Sequence, residues 1–570
     1  MDSSARLTAY TIRYVLSPRE YRKLVARLNT NVTRILPAPE KIDASAVRSG
    51  DGVQSIVRSQ SRLFAASYGL LGLINAFILK RRGLNIPALR IATSLTAISG
   101  IYKVLYRVLT LLLQRTGILP RHGLSAKTTG SSTKSRVDSS PSPGTTDDPE
   151  STCSDAGYLD NSYKITKLLV RAGYFTKRTL KKTKHLPPLL PALLSGLVAG
   201  SAFALFPESA QGYAAIYLST RTLEFVYNYL DDMGYLEFKP RILKSWAIFP
   251  FAFSQLFYTF IFHPDACPNI FRRIMLRLSD GYIPTKPTGY PIDRPWPNPD
   301  QVVDGIATIA RARYPKFVSP ILFPNLDTTV PGLESAEPVL SLAHPAMSTL
   351  TGALSHPTQP SEFRTYTELV LSKYSSIYKY VFGAYVVLGL LKWRAHSKAS
   401  SKTSEKNKLS STDKASKKAA PSLPGILLSS VANTARTTTF IVMTAASSWY
   451  GIGLSQQVLN NKFIPVLRFR IIGFLAGLWA FADQVNGRAR YMFAVRLALR
   501  SQWNVLSKDR RYAPLLKNGA AALFALSFAV LMAIFDLSPK SIPGPSLRKT
   551  LNWIKTNQYT DVTAEKEKDI

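Results

Sequence analysis

The sequence predicts an all-α fold: a polytopic membrane helix bundle of about eight to ten spans, built on an internal duplication whose halves form inverted repeats. Three observations predict it. About ten apolar runs punctuate the 570-residue chain, four or five of them free of charge and near the length a helix needs to cross a bilayer. Lys and Arg flank almost every run. Short motifs recur, in order, at a nearly constant offset.

The charge balance is extreme: 72 Lys plus Arg against 35 Asp plus Glu, a formal net charge of +37. Such a balance invites a nucleic-acid reading. The distribution argues against it. The cations sit beside apolar runs, as in Lys80-Arg81-Arg82, Lys177-Arg178, Lys181-Lys182, Arg272-Arg273 and Lys508-Asp509-Arg510-Arg511. Cations there anchor helix ends and meet anionic lipid headgroups. No zinc-finger or RNP-type motif accompanies them, so no nucleic-acid partner is expected. Cys153 and Cys267 are the only cysteines, which excludes a disulfide-rich module. Two Cys and six scattered His leave no structural zinc cluster.

The elements follow in order. Residues 1–62 form a basic N-terminal region. It lacks the apolar h-region of a secretory signal, and its acids and poor Arg periodicity weaken the case for a mitochondrial transit peptide. A first membrane repeat covers 63–280. Leu63 to Leu79 is free of charge; Ile91 to Gln114 is apolar apart from Lys103 and Arg107. Leu186 to Pro207 is clean, Ser209 to Leu230 carries only Arg221 and Glu224, and Trp246 to Phe262 is clean and aromatic. Between them, 125–160 is rich in Ser, Thr, Pro and Gly, so disorder is expected. Residues 281–376 read as a Pro-dense, ordered extramembrane segment with a helix over Val302 to Arg313. A second membrane repeat covers 377–550. Its runs are Tyr380 to Leu391, Leu423 to Asn461, Ile471 to Ala482, the amphipathic Tyr491 to Leu506, and Asn518 to Phe535. The Lys/Ser-rich linker 397–418 lacks aromatics and is expected to be disordered. Residues 551–570 form a charged tail. The linkers are also where protein partners are expected.

The duplication rests on ordered matches. Gly196-Leu197-Val198-Ala199-Gly200 recurs as Gly473-Phe474-Leu475-Ala476-Gly477. Arg221 falls on Arg496, and Pro264, Pro268 and Arg273 fall on Pro539, Pro543 and Arg548. Tyr68 to Leu73 echoes Tyr385 to Leu390. Five spans per half, an odd number, would turn the second half over in the membrane, with a pseudo-two-fold axis in the membrane plane.

Gly196, Gly200, Gly473 and Gly477, spaced four apart in pairs, are expected to let helices pack closely. An Arg or carboxylate inside a span is costly unless it pairs or faces water. Glu208, Arg221 and Glu224 in one half, with Asp483, Arg488 and Arg496 in the other, are therefore read as a polar interior seam. Structural ion pairing and a cavity for a polar or amphipathic substrate are the two readings of it. His263-Pro264-Asp265-Ala266-Cys267-Pro268 holds three potential ligands, but its prolines make it a helix-ending turn, and no metal is expected. No hydrolase elbow, phosphate loop, dinucleotide fingerprint or His-Glu-x-x-His motif occurs. A non-enzymatic protein without cofactor is expected.

Gly196-Leu-Val-Ala-Gly-Ser, followed by Tyr217-Leu-Ser-Thr-Arg-Thr-Leu-Glu-Phe and by Phe262-His-Pro-Asp-Ala-Cys-Pro-Asn up to Arg272-Arg273, resembles the transmembrane protein 135 family. That family is related to the mitochondrial inner-membrane translocase superfamily and to small peroxisomal membrane proteins. The resemblance covers 186–280 best, with 425–550 as a second copy. The Ser-Pro-rich insertion would suit a fungal member. Animal members carry a Cys-rich N-terminal region that this chain lacks. The resemblance implies a multi-pass protein of mitochondria or peroxisomes, connected with lipid homeostasis and organelle dynamics. An organelle scaffold without transport is the alternative.

Overall fold

The structure, a computed structural model, describes residues 16–25, 52–77, 86–115, 186–235, 245–291, 295–323, 331–406, 423–461 and 463–563. The regular structure among them is helical. In chain order the helices are α1 (Pro18–Val25), α2 (Gly52–Phe77), α3 (Ile86–Arg115), α4 (Leu186–Ser201), α5 (Glu208–Asp232), α6 (Ile248–Phe262), α7 (Asn269–Leu278) and α8 (Pro299–Arg311). Next come α9 (Glu337–Leu340), α10 (Leu350–Ser355), α11 (Glu362–Lys406), α12 (Leu423–Val458), α13 (Arg468–Gly477) and α14 (Arg488–Lys508). Last are α15 (Ala513–Leu516), α16 (Gly519–Leu537) and α17 (Pro545–Thr556). Both α4 and α13 tighten at their C-terminal ends into 3-10 turns, Ala202–Leu205 and Leu478–Asp483.

Four helical segments among the described residues are long and apolar enough to cross a membrane: Ile86–Arg115, Ser245–Phe262, Glu362–Leu391 and Gly519–Leu537. Of the eight to ten spans expected, these four are what the described residues show. The others fail for visible reasons. α13 has only ten residues. α5 carries Glu208, Arg221, Glu224, Asp231 and Asp232, and α14 carries Arg488, Arg490, Arg496 and Arg500. α12 is long but crowded with Ser, Thr and Asn. The Glu362–Leu391 segment makes the strongest case for a bilayer, because none of its most apolar stretch is buried by protein. Leu371, Tyr380, Val387, Leu388 and Leu391 all stand exposed, and lipid is the solvent that suits such a surface.

The first part of the linker expected at 397–418 is helical. α11 continues unbroken through Lys406. Low apolar content forbids burial, not helicity, and this stretch holds Lys, Ala and Glu with no Gly or Pro. The remainder of that linker, and the whole of 125–160, lie outside the described residues.

The chain forms two compact units, the first drawing on both ends of the sequence and the second on its middle. The first contains α1 to α4, residues 221–232 of α5, most of α16, and α17. Here α2 packs on α3, and α3 packs on α4 and on α17. Arg62 forks onto both carboxylate oxygens of Glu20, at 2.8 Å each, tying α1 to α2. That contact holds the Glu20 carboxyl down at about 2. Buried Lys103 donates to Ser59 at 3.2 Å and lies 4.0 Å over the Trp553 ring. Asp536 accepts from Tyr106 at 3.0 Å and from Lys555 at 2.8 Å.

The second unit holds residues 212–220 and 233–520. α6 supplies Phe249, Phe253, Phe257, Phe260 and Phe262, all buried among Phe440, Trp449, Phe469 and Tyr491. α6 packs on α13 and α14, while α12 packs on α11 and α13. Residues 281–376 contain ordered structure. Pro299 opens α8, and Gln301 closes back on the Asn298 N–H at 2.7 Å. Tyr282, Val302, Ile306 and Leu354 join the same core as α6.

Candidate polar site among the helices

Each unit contains one close helix approach. On α4, a Cβ added at Gly196 would lie 2.6 Å from Ala529 Cα, and one at Gly200 would lie 2.5 Å from Ala525 Cα. On α13, a Cβ at Gly473 would lie 2.9 Å from Ser254 Cα, and one at Gly477 2.6 Å from Pro250 Cα. In each case the obstacle is backbone, so only glycine permits the contact. The spacing is regular. Gly196 and Gly200 precede Gly473 and Gly477 by 277 residues; Pro250 and Ser254 precede Ala525 and Ala529 by 275.

α13 and its 3-10 extension deliver Asp483 against α12. One face of α12 repeats hydroxyls every three to four residues: Ser430, Thr434, Thr437 and Thr438 are all buried. Asp483 Oδ2 forms an ion pair with Arg490 and lies 3.5 Å from the Thr437 hydroxyl. Arg490 also donates to Thr437 Oγ1 at 3.2 Å and to Tyr385 Oη at 3.3 Å, and these two hydroxyls are themselves 3.0 Å apart. Asp483 is 1% exposed, yet its Oδ1 has no partner among the described residues, nor does Arg490 Nε. The Arg490 side chain remains about one-third open, at 36%. The result is a charge-cancelled polar cluster in an apolar bundle, with one buried acceptor and one buried donor unpartnered among the described residues.

The seam read from the sequence is redrawn accordingly. Arg221 and Glu224 pair at 2.8 Å, one helical turn apart. Glu208 does not join them: it is exposed in the first turn of α5, where a carboxylate meets the positive helix end. Arg488 is exposed at the start of α14, and Arg490 rather than Arg488 reaches Asp483. Arg496 donates to Thr220 at 3.1 Å and lies 4.4 Å over the Tyr217 ring. Arg490, Thr437 and Tyr385 were missed. No helical spacing signalled them, because Asp483 ends a 3-10 turn and Arg490 lies on the next helix.

Two further buried cations lie toward the Pro-dense segment. His356 Nε2 approaches Glu362 Oε2 off-axis at 2.9 Å, and its Nδ1 is 2.7 Å from the Gln359 carbonyl. Burial alone would lower the His356 pKa; Glu362 and that carbonyl outweigh it and hold the imidazole above its ordinary value. Beside them opens a cavity of about 590 Å³, lined by Trp296, His356, Gln359, Glu368 and Lys373 among others. Arg468, 1% exposed, donates to the carbonyls of Ser455, Asn460 and Phe463 and lies 4.5 Å over the Tyr314 ring. It thereby ties the last turn of α12 to the loop that follows, as a second donor to the Ser455 and Asn460 carbonyls, which also accept from the Leu459 and Phe463 N–H groups. In the turn after α6, Cys267 is buried and its thiol is pushed up to about 12, unsuited to nucleophilic chemistry. Among the described residues no group of His, Cys, Asp and Glu is placed to hold a metal.

No protein-family model, curated protein or solved structure matches the chain.

Proposed function

We propose that this chain is a non-enzymatic, multi-pass organellar membrane protein with a duplicated, transporter- or translocase-like core that handles lipid or another amphipathic substrate in mitochondria or peroxisomes. One observation carries the duplication: the two glycine helices make the same backbone approach to partners at the same sequence spacing. α4 uses Gly196 and Gly200 against Ala529 and Ala525; α13 uses Gly473 and Gly477 against Ser254 and Pro250. Each glycine helix is completed by a helix from the opposite half of the chain. Asp483, Arg490, Thr437 and Tyr385 supply the polar contact that an amphipathic substrate needs inside such a bundle. The inverted relation of the repeats belongs to the same proposal.

The test is reconstitution of the full chain in vesicles with fluorescent phospholipid analogues. Redistribution that falls in Asp483→Asn and Arg490→Gln supports the reading; none with the folded wild type removes transport. Imaging of a tagged copy assigns the organelle. A scaffold is the second reading, and one observation favours it: the 590 Å³ cavity lies at the Pro-dense segment rather than at the Asp483 site.

A further inference from the structure

α7 follows α6 after a six-residue turn, so it begins where the Ser245–Phe262 segment ends. Its ten residues are sharply two-sided. Phe271 and Met275 are buried in the core. The opposite face presents Ile270 and Ile274, 53% and 48% exposed, alternating with exposed Arg273 and Arg277. These four positions follow the i, i+3, i+4, i+7 spacing of one helical stripe. Arg272, off the stripe, is neutralised by Asp300 at 2.8 Å. Arg273 and Arg277 form no ion pair among the described residues. Two isoleucines one turn apart, bordered by two unpaired guanidinium groups, match a surface that is apolar below and anionic above.

We propose that α7 lies in the plane of the membrane interface and binds anionic phospholipid, with Ile270 and Ile274 among the acyl chains and Arg273 and Arg277 on the phosphates. Position and charge complementarity select this occupant. The helix emerges at the end of a membrane-crossing segment, and an in-plane amphipathic helix draws its affinity from buried apolar area together with attraction to anionic headgroups. The proposal rests on the membrane reading of α6 and adds to it a defined lipid contact.

The experiment labels Ile274→Cys with an environment-sensitive nitrobenzoxadiazole dye, in the full chain with Cys153→Ser and Cys267→Ala. The protein is reconstituted in phosphatidylcholine with or without phosphatidylglycerol. The expected result is a blue-shifted emission, quenched by brominated lipid, that is strengthened by phosphatidylglycerol. Arg273→Gln with Arg277→Gln should abolish that strengthening, each cation being worth roughly fivefold at an anionic surface. Lys286→Gln with Lys540→Gln, an equal charge change elsewhere, should leave it. Emission that stays solvent-like while the chain resists alkaline extraction overturns the docking and leaves the membrane reading intact. Extraction of the chain by alkali overturns both. A shift that ignores phosphatidylglycerol overturns the anionic preference. Shielding of the dye only by added soluble protein makes the face a protein-binding site and overturns the proposal.

Discussion

Gly196→Ala tests whether backbone contact between α4 and α16 holds the first unit together. The new methyl would sit 2.6 Å from Ala529 Cα and 3.2 Å from its nitrogen, where carbon atoms normally rest about 3.5–4.0 Å apart. The helices must separate by about 1 Å, and a gap of that size forfeits a quarter to a half of each dispersion contact it opens. The neighbouring Gly200–Ala525 approach would open with it. Overpacking of this kind costs roughly 1–3 kcal/mol, against a gain of about 1 kcal/mol for Ala over Gly in a helix. The two figures net to roughly 0–2 kcal/mol, and opening the Gly200–Ala525 approach as well puts the expected loss at the upper end, about 2 kcal/mol, measured by thermal or denaturant unfolding of the full chain in detergent. Ala529→Gly should not rescue it, because the obstructing Cα remains. Gly389→Ala is the contrasting case. There the obstacle is Ile426 Cγ2 at 2.6 Å, the end of a side chain, so Ile426→Ala should relieve the clash. A neutral Gly196→Ala, or its rescue by Ala529→Gly, would refute the backbone-contact argument.

Arg468→Met should cost roughly 1–3 kcal/mol, since the Phe463 carbonyl loses its donor while Ser455 and Asn460 keep backbone N–H donors from Leu459 and Phe463, and Arg468→Lys should recover only part, since an ammonium cannot fork across them; both are read by unfolding in detergent. Asp483→Asn alone leaves Arg490 uncompensated and should destabilise more than Asp483→Asn with Arg490→Gln, by an amount at the lower end of roughly 3–5 kcal/mol because Arg490 is partly open; additive effects in the double-mutant cycle would show that the pair is not coupled. His356 has a folded pKa above its ordinary 6.5, so its pairing with Glu362 contributes fully below that pH and is lost as pH rises through the raised value; a stability slope between roughly pH 6 and 8 should vanish in His356→Gln. Finally, two fragments made by breaking the chain between 324 and 330 should co-purify when co-expressed, and each should be protease-sensitive alone.

Helix positions were closely legible in the sequence. The charge-free run Trp246 to Phe262 became a helical segment over Ser245–Phe262, and Asn518 to Phe535 became Gly519–Leu537. Apolar runs bounded by charge mark where a helix can be buried or sit in lipid, and that needs no knowledge of neighbours. Span number was less legible, because the same apolar content serves a lipid-facing helix and a protein-buried one. α6 and the exposed stretch of α11 differ in burial, not in kind of sequence. The polar site was legible in part. Glu224 and Arg221 lie within one helix, so their spacing alone brings them together. Asp483 meets Arg490 across a 3-10 turn and a new helix start at Gly487, and Tyr385 and Thr437 arrive on two other helices. Such convergence depends on packing angles that one-dimensional periodicity does not encode. Glu208 and Arg488 show the converse error: both stand exposed at a helix start rather than inside a span, and at Glu208 the positive helix end favours the carboxylate.

The two glycine contacts also bear on why the halves of this chain would depend on each other. α4 precedes residue 202, yet the backbone it meets lies at 525–529; α13 lies at 468–477, yet its backbone partner lies at 250–254. In a bilayer, lipid tails compete with side chains on nearly equal terms, so the hydrophobic effect gives helices little reason to choose one neighbour over another. Close backbone approach does give a reason. It multiplies short dispersion contacts that no acyl chain can reproduce, and it tolerates only glycine at the crossing. An unduplicated ancestor with one glycine helix and one partner helix per chain could satisfy both by pairing with a second copy. After duplication the same contacts become intramolecular. Under the duplication proposed here, the long connections between the halves then act as tethers that raise the effective concentration of each helix for its distant partner.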